Sequence, residues 1–250
     1  MNMKEQNESK ERRMRRTNLV IDRNIDEAVK KLVSEVGFSN LTLKAIAEEA
    51  TVDPPVIYNK YGNLNGLLRE FIQQYENWLT HIEAKSIRNF QTGKYQRFLT
   101  LLLKNTAKRV NADRVIQELL IWEVQEKSDM TRQSARMREA NTFLFSSFYS
   151  DYFEGTGVDF NMFMALISAG IYYLIMRKDV LPFCEIDLNK KEDFDRMLDM
   201  IEKLIEWIFS ERKADQKMED VAIRLKQKGI DVAVIAEATG LSVEHINELS

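Results

Sequence analysis

The sequence predicts an all-α protein: a small N-terminal three-helix domain, a larger helical bundle and a short helical tail. Three observations carry this. Proline stands at only three positions, 54, 55 and 182. Seven of the nine glycines lie between stretches whose apolar residues recur at a 3.6-residue period, Gly66 and Gly170 being the exceptions. The 250 residues exceed one typical domain, so a small domain joined to a larger helical body fits the length.

Residues 1–16 are polar and end in the run Lys10 to Arg16, of net charge +4 with almost no apolar side chain, which predicts a flexible basic arm. Ile25, Ala28, Val29, Leu32, Val33 and Val36 then form one stripe at offsets 0, 3, 4, 7, 8 and 11. Gly37 follows where a left-handed cap ends a helix. Thr42 is a good N-cap for a two-turn helix bearing Leu43, Ile46, Ala47 and Ala50. Asp53 is expected to cap a third short helix starting near Pro54, because proline in the first turn gives up a donor that would have stayed unpaired. After Gly62 and Asn63, the residues Leu64, Leu67, Leu68, Phe71, Ile72, Tyr75, Leu79 and Ile82 trace a longer fourth helix. Further helices are expected at about 94–110, 113–127, 130–153, 159–178 and 190–212, punctuated by Gly155, Gly157 and Pro182. The last shows a broad apolar side, from Phe194 to Phe209, suited to packing in a bundle or against a second copy. A polar stretch at 211–217 leads to a separate tail. The expected divisions are an arm at 1–16, a domain at 17–62, a second domain at 63–213 and a tail at 214–250.

Composition excludes several classes. A net charge of −3 gives no overall basic signature, so any contact with nucleic acid must be local; residues 1–61 hold 11 Lys/Arg against 10 Asp/Glu, and the remainder is acidic. One cysteine, Cys184, rules out an intrachain disulfide and a thiolate zinc cage, and two histidines, His81 and His245, leave little for metal chemistry. No metal or cofactor is expected, and a reducing cytoplasm fits best. The opening residues carry no apolar stretch of the signal-peptide kind. The longest nearly apolar run, Met162 to Met176, spans 15 residues and includes Ser168 and Gly170, so it reads as a buried helix and not a membrane span. A Gly-rich phosphate loop, a His-Glu-x-x-His pair and a nucleophile elbow are all missing from the sequence, which argues against an enzyme.

Two short helices joined by a three-residue turn make a helix-turn-helix, whose second helix, here Pro54 to Tyr61, is narrow enough to enter a major groove. Between residues 20 and 72 the chain resembles the TetR family of bacterial transcriptional regulators. Thr42, Ile46, Ala47, Ala50, Val52, Tyr58, Leu67 and Leu68 match that pattern, and Tyr61 replaces its closing aromatic. Thr51 stands for the turn glycine, Asp53 for the serine and Lys60 for the histidine, which strains the turn without removing the motif.

The resemblance implies that Thr42, Tyr58 and Lys60 contact phosphates, while Pro55, Val56 and Asn59 lie where base edges are approached. Their chemistry agrees in part. A hydroxyl and an ammonium suit phosphate oxygens, Asn59 can read an adenine, and Val56 or a proline ring can touch a thymine methyl. The two prolines donate no hydrogen bond, so specificity leans on Asn59, on Lys44 and on the basic arm; the arm's competing reading is a solvated tail. Tyr61, four residues after Ile57, belongs with the core, and Tyr58 is the exposed aromatic.

The resemblance further implies a homodimer on a palindromic operator of double-stranded DNA, held through helices at about 159–178 and 190–212. It also implies a repressor released by an apolar or aromatic small molecule bound in the C-terminal domain. The aromatic-rich region 84–212 supplies Trp122, Phe145, Tyr149, Phe163 and Tyr172 as candidate lining residues, although such residues at helical spacing equally build a core. The tail repeats the motif: Ile235 and Ala236 align with Ile46 and Ala47, Gly240 with Thr51, Leu241 with Val52 and Ser242 with Asp53. From Gly229 onward it has four acidic residues and no Lys or Arg, which favours packing or protein contact over DNA. The alternative to a regulator is a helical adaptor or ligand-binding protein that keeps this fold and no longer binds DNA; the two prolines are its support.

Overall fold

The computed structural model describes residues 3–76 and 84–249, with side chains except at residues 3–17, 74, 76, 84–86, 141, 142, 144 and 213–216. Helices α1 to α5 span Met3–Val36, Leu43–Ala50, Pro54–Tyr61, Leu64–Glu76 and Ala84–Gln91; α6 to α9 span Tyr95–Ala112, Arg114–Gln125, Asp129–Tyr152 and Phe160–Met176; α10 to α12 span Lys191–Gln227, Val232–Thr239 and Val243–Glu248. The described residues contain no β-strand, only an isolated bridge between Phe183 and Ile186. Among them, no helix is long and apolar enough to cross a membrane.

The chain forms two compact units, the first drawn from residues 1–82, 106–143 and 172–177, the second from 83–105, 144–171 and 178–250. The first is built on the stripe of α1. Ile25, Ala28, Val29 and Val33 are buried there with Ile46, Ala47 and Ala50 of α2, Ile57 of α3, and Leu67, Leu68, Phe71 and Ile72 of α4. Burying whole side chains of this kind is worth roughly 1.5–3 kcal/mol each, far more than the propensity of helices only eight residues long. Val115, Leu119 and Trp122 of α7 close the same core. The indole of Trp122 stacks on Phe38, ring centroids 5.1 Å apart, and its N–H donates to Glu126 at 2.6 Å. This unit therefore reaches beyond the expected span of 17–62.

The second unit holds an aromatic cluster in which Phe90, Phe98, Phe145, Phe148 and Tyr149 meet edge to face or tilted. The Tyr149 hydroxyl donates to the carbonyl of Tyr95 at 2.7 Å, and burial pushes its pKa well above the ordinary range. The tail packs on the end of α10 around Ala222, Ile235 and Ile246, each with no exposed surface. Lys226 there donates to the carbonyls of Ile246, Asn247 and Leu249 at 3.0, 3.0 and 2.7 Å, capping the end of α12 with a cation.

Several boundaries differ from the sequence expectation. The stretch read as a flexible arm continues α1 back to Met3, since Glu, Lys, Arg, Met and Gln are strong helix formers and neither Gly nor Pro interrupts residues 1–36. The last long helix runs to Gln227 and not to 212, for the same reason: the polar stretch 211–217 contains no breaker. Helix α5 was not expected. Leu79 and Ile82, placed on the fourth helix, lie outside the described residues, as does His81. The run from Met162 to Met176 is not wholly buried: Met162, Ala165, Leu166, Ala169, Gly170 and Tyr173 form an exposed stripe on α9.

Candidate nucleic-acid interface

Thr42 caps α2 by accepting a hydrogen bond from the Ala45 N–H at 3.1 Å, which leaves its own proton to donate outward. The chain then turns at Thr51, a C-cap in the left-handed region at φ 55°, ψ 47°. The N–H of Val52 donates to the carbonyl of Ala47 at 3.0 Å across this turn, the bond that closes a Schellman end. A β-branched residue there carries strain, as the replaced turn glycine foretells.

Helix α3 opens differently from expectation. Asp53 makes no side-chain cap bond. Pro54 and Pro55 occupy the first two helical positions and have no N–H to cap, so the first donor is Val56, which the backbone carbonyl of Asp53 accepts at 2.9 Å. One side of the helix is fixed by Ile57, fully buried, with Tyr61 packed against the core one turn later. The opposite side carries Pro54, Pro55, Tyr58 and Asn59, all exposed, with Tyr58 at 53%. Val56 is half-buried at the edge.

The remaining candidate cations behave differently from each other. Lys44 projects from α2 with only a loose pair to Glu48 at 3.8 Å. Lys60 is exposed, yet its ammonium is ion-paired with Asp22 of α1 and lies 5.2 Å above the ring of Tyr61. Burial pulls its pKa down, but the hydrogen bond and charge of Asp22 together with those of Tyr61 outweigh this and the net shift is upward, so Lys60 stays cationic. Sequence reasoning missed Asp22, and no local pattern marks a partner 38 positions away.

Gly66 fixes how α3 meets α4. Its N–H donates to Asn63 Oδ1 at 2.9 Å, and a Cβ built on it would stand 2.0 Å from the carbonyl oxygen of Tyr61, the last residue of α3. Only glycine allows this approach.

The five residues expected to line an effector pocket are not brought together. Trp122 belongs to the core of the first unit, because its indole fills the gap beside Phe38. Phe145 and Tyr149 sit in the aromatic cluster of the second unit, and Phe163 and Tyr172 are half-buried on α9. The second unit does contain a cleft of about 640 Å³, but none of the five lines it; Tyr95, Lys104, Tyr152 and Phe209 do. Among the described residues no group of three or more His, Cys, Asp or Glu side chains is placed to hold a metal ion.

An all-helical protein with an N-terminal helix-turn-helix whose second helix is supported from below and exposed above is the class this geometry defines. Residues 25–71 match the family of bacterial regulatory proteins known as the tetR family, and this segment is a TetR-type DNA-binding helix-turn-helix. Among solved structures the chain is similar to a TetR family transcription regulator from Marinobacter aquaeolei VT8, at 17% sequence identity and a TM-score of 0.48 over 76% of this chain and 97% of that one. No curated protein sequence matches it.

Proposed function

We propose that the protein is a transcriptional repressor that binds a palindromic operator as a homodimer and is released when a small molecule binds its second unit. The observation that carries the DNA part is the exposed side of α3, with Pro55, Tyr58 and Asn59 outward and Ile57 inward, within the segment that matches the tetR family. Thr42 and Tyr58 offer hydroxyls to phosphates, Asn59 reads a base, and Lys44 and Lys60 supply charge. The reading places the protein in a bacterial cytoplasm and assigns it no catalysis.

Dimerisation is supported by two exposed apolar stripes. On α9, Met162, Ala165, Leu166, Ala169, Gly170 and Tyr173 recur at three- and four-residue steps, the small ones allowing a second helix to approach closely. On α10, Met200 and Trp207 are 52% and 60% exposed two turns apart. Large apolar side chains left in water on adjacent turns mark an interaction surface. Two copies joined there would hold two α3 helices for successive major grooves, about 34–36 Å apart.

The test is a mobility shift with promoter fragments of its own gene region across a salt series. Salt-sensitive binding that is lost in Tyr58→Ala and Asn59→Ala supports the regulator, and Leu166→Arg should give a monomer by sedimentation. A dimer indifferent to every fragment favours the second reading, an adaptor of the same fold, for which the absence of donors at Pro54 and Pro55 is the specific support.

A further inference from the structure

The cleft of the second unit has a definite chemistry. Part of its lining is aromatic: the rings of Tyr95 and Tyr152 meet edge to face at 5.3 Å, and Phe209 lies 5.7 Å from Tyr152. Arg97, Leu101 and Lys104, which succeed one another at helical steps along α6, line it as well, with Lys94 just before the helix begins. Three cations line the cleft against one carboxylate, Glu202 of α10. Lys94 and Arg97 are exposed, whereas Lys104 keeps only 19% of its side-chain surface and is ion-paired with Glu202, with Asp199 further off at 3.9 Å. The first turn of α6, whose N–H groups have no partner within the helix, adds positive potential at the same rim.

We propose that this cleft takes an organic anion with a flat apolar body, of which an aromatic carboxylate is the simplest form, and that the anion displaces Glu202 from Lys104. The ring system lies against Tyr95, Tyr152 and Phe209, and the charged end meets Lys104 with Arg97 and Lys94 at the entrance. A neutral ligand gains the aromatic contact but cannot replace Glu202. Displacement matters because Lys104 ties α6 to α10, the helix that carries Met200 and Trp207, so occupancy loosens that tie. As an effector site the inference rests on the regulator reading; as a binding site it stands apart from it.

The test is calorimetric titration of the full-length chain with 1-naphthoate and with its neutral counterpart 1-naphthalenemethanol. Naphthoate should bind at least about tenfold more tightly, the gain expected of a charge-assisted contact in a half-enclosed site. Lys104→Met should erase that preference, and Glu202→Gln should raise naphthoate affinity severalfold by removing the competing carboxylate. Arg97→Gln, on the exposed rim, leaves the core untouched and should weaken naphthoate alone, which keeps the test open if the Lys104 variant fails to fold. Equal affinity for the two probes, binding of neither, or a Glu202→Gln variant that binds naphthoate less well would each overturn the proposal. A promoter shift measured without ligand separates the two readings: DNA binding with no naphthoate binding removes the cleft alone, and naphthoate binding with no DNA binding removes the regulator alone.

Discussion

Lys60 of α3 is ion-paired with Asp22 of α1, so the lysine expected at a phosphate already has an anion of its own. On DNA the ammonium must leave Asp22 or share itself between two negative groups, and the carboxylate itself stands near the polyanion. Asp22→Asn should therefore raise affinity for an operator about two- to fivefold and add about one unit to the slope of log affinity against log salt, as one more phosphate contact is freed. Fluorescence anisotropy at several salt concentrations checks this; an unchanged slope would show that Lys60 never faces the phosphates.

Thr51 holds a left-handed conformation that favours glycine, and the corresponding turn of the tail uses Gly240 at φ 73°. Thr51→Gly should stabilise the first unit by about 1 kcal/mol, the relief of the Cβ clash exceeding the added freedom of the unfolded chain. The midpoint of urea unfolding should rise with no change in its slope, and a lower midpoint would contradict the strain.

Gly66→Ala places a methyl against the Tyr61 carbonyl, a backbone atom that cannot swing aside. We expect a loss of about 1–3 kcal/mol and weaker DNA binding, because α3 must shift from α4 to make room. At Gly62 a Cβ would meet nothing within 4 Å, so Gly62→Ala should show only the backbone cost of its positive φ. Equal melting of the two variants would argue that the contact is soft.

Glu123 and Arg138 form a double hydrogen bond with 11% of each side chain exposed, and Ser134 donates to the same carboxylate at 2.6 Å. Glu123→Ala should cost about 3 kcal/mol, since it removes both bonds to a guanidinium that has little access to water, whereas replacing both charges by Leu and Met should recover much of that. Thermal unfolding of the single and double variants distinguishes a buried pair from a solvated one.

The helix-turn-helix was legible because its information is local. Thr42, the Ala50 to Asp53 turn and the two prolines each act within four residues, and the observed spans Leu43–Ala50 and Pro54–Tyr61 follow directly from them. The tail was readable for the same reason, through Ser242 and Gly240. What the pattern could not supply is the identity of neighbours remote in sequence. An apolar stripe says that Trp122 is buried but not that Phe38 receives it, and so the candidate pocket mixed residues of two units. The cleft is marked instead by Arg97 and Lys104 of α6, whose helical spacing alone does not tell a binding face from a solvated one.

Helix α10 runs without interruption for 37 residues, Lys191–Gln227, and carries Ala222 into the tail's own core. At 1.5 Å per residue, Glu202 stands roughly 40 Å from the helix end, so a tilt of about five degrees at the cleft sweeps the far tip through roughly 3 Å. Were occupancy of the cleft to tilt α10 beside Lys104, a fluorophore carried on the acidic C-terminal module would convert that small local event into a readable displacement.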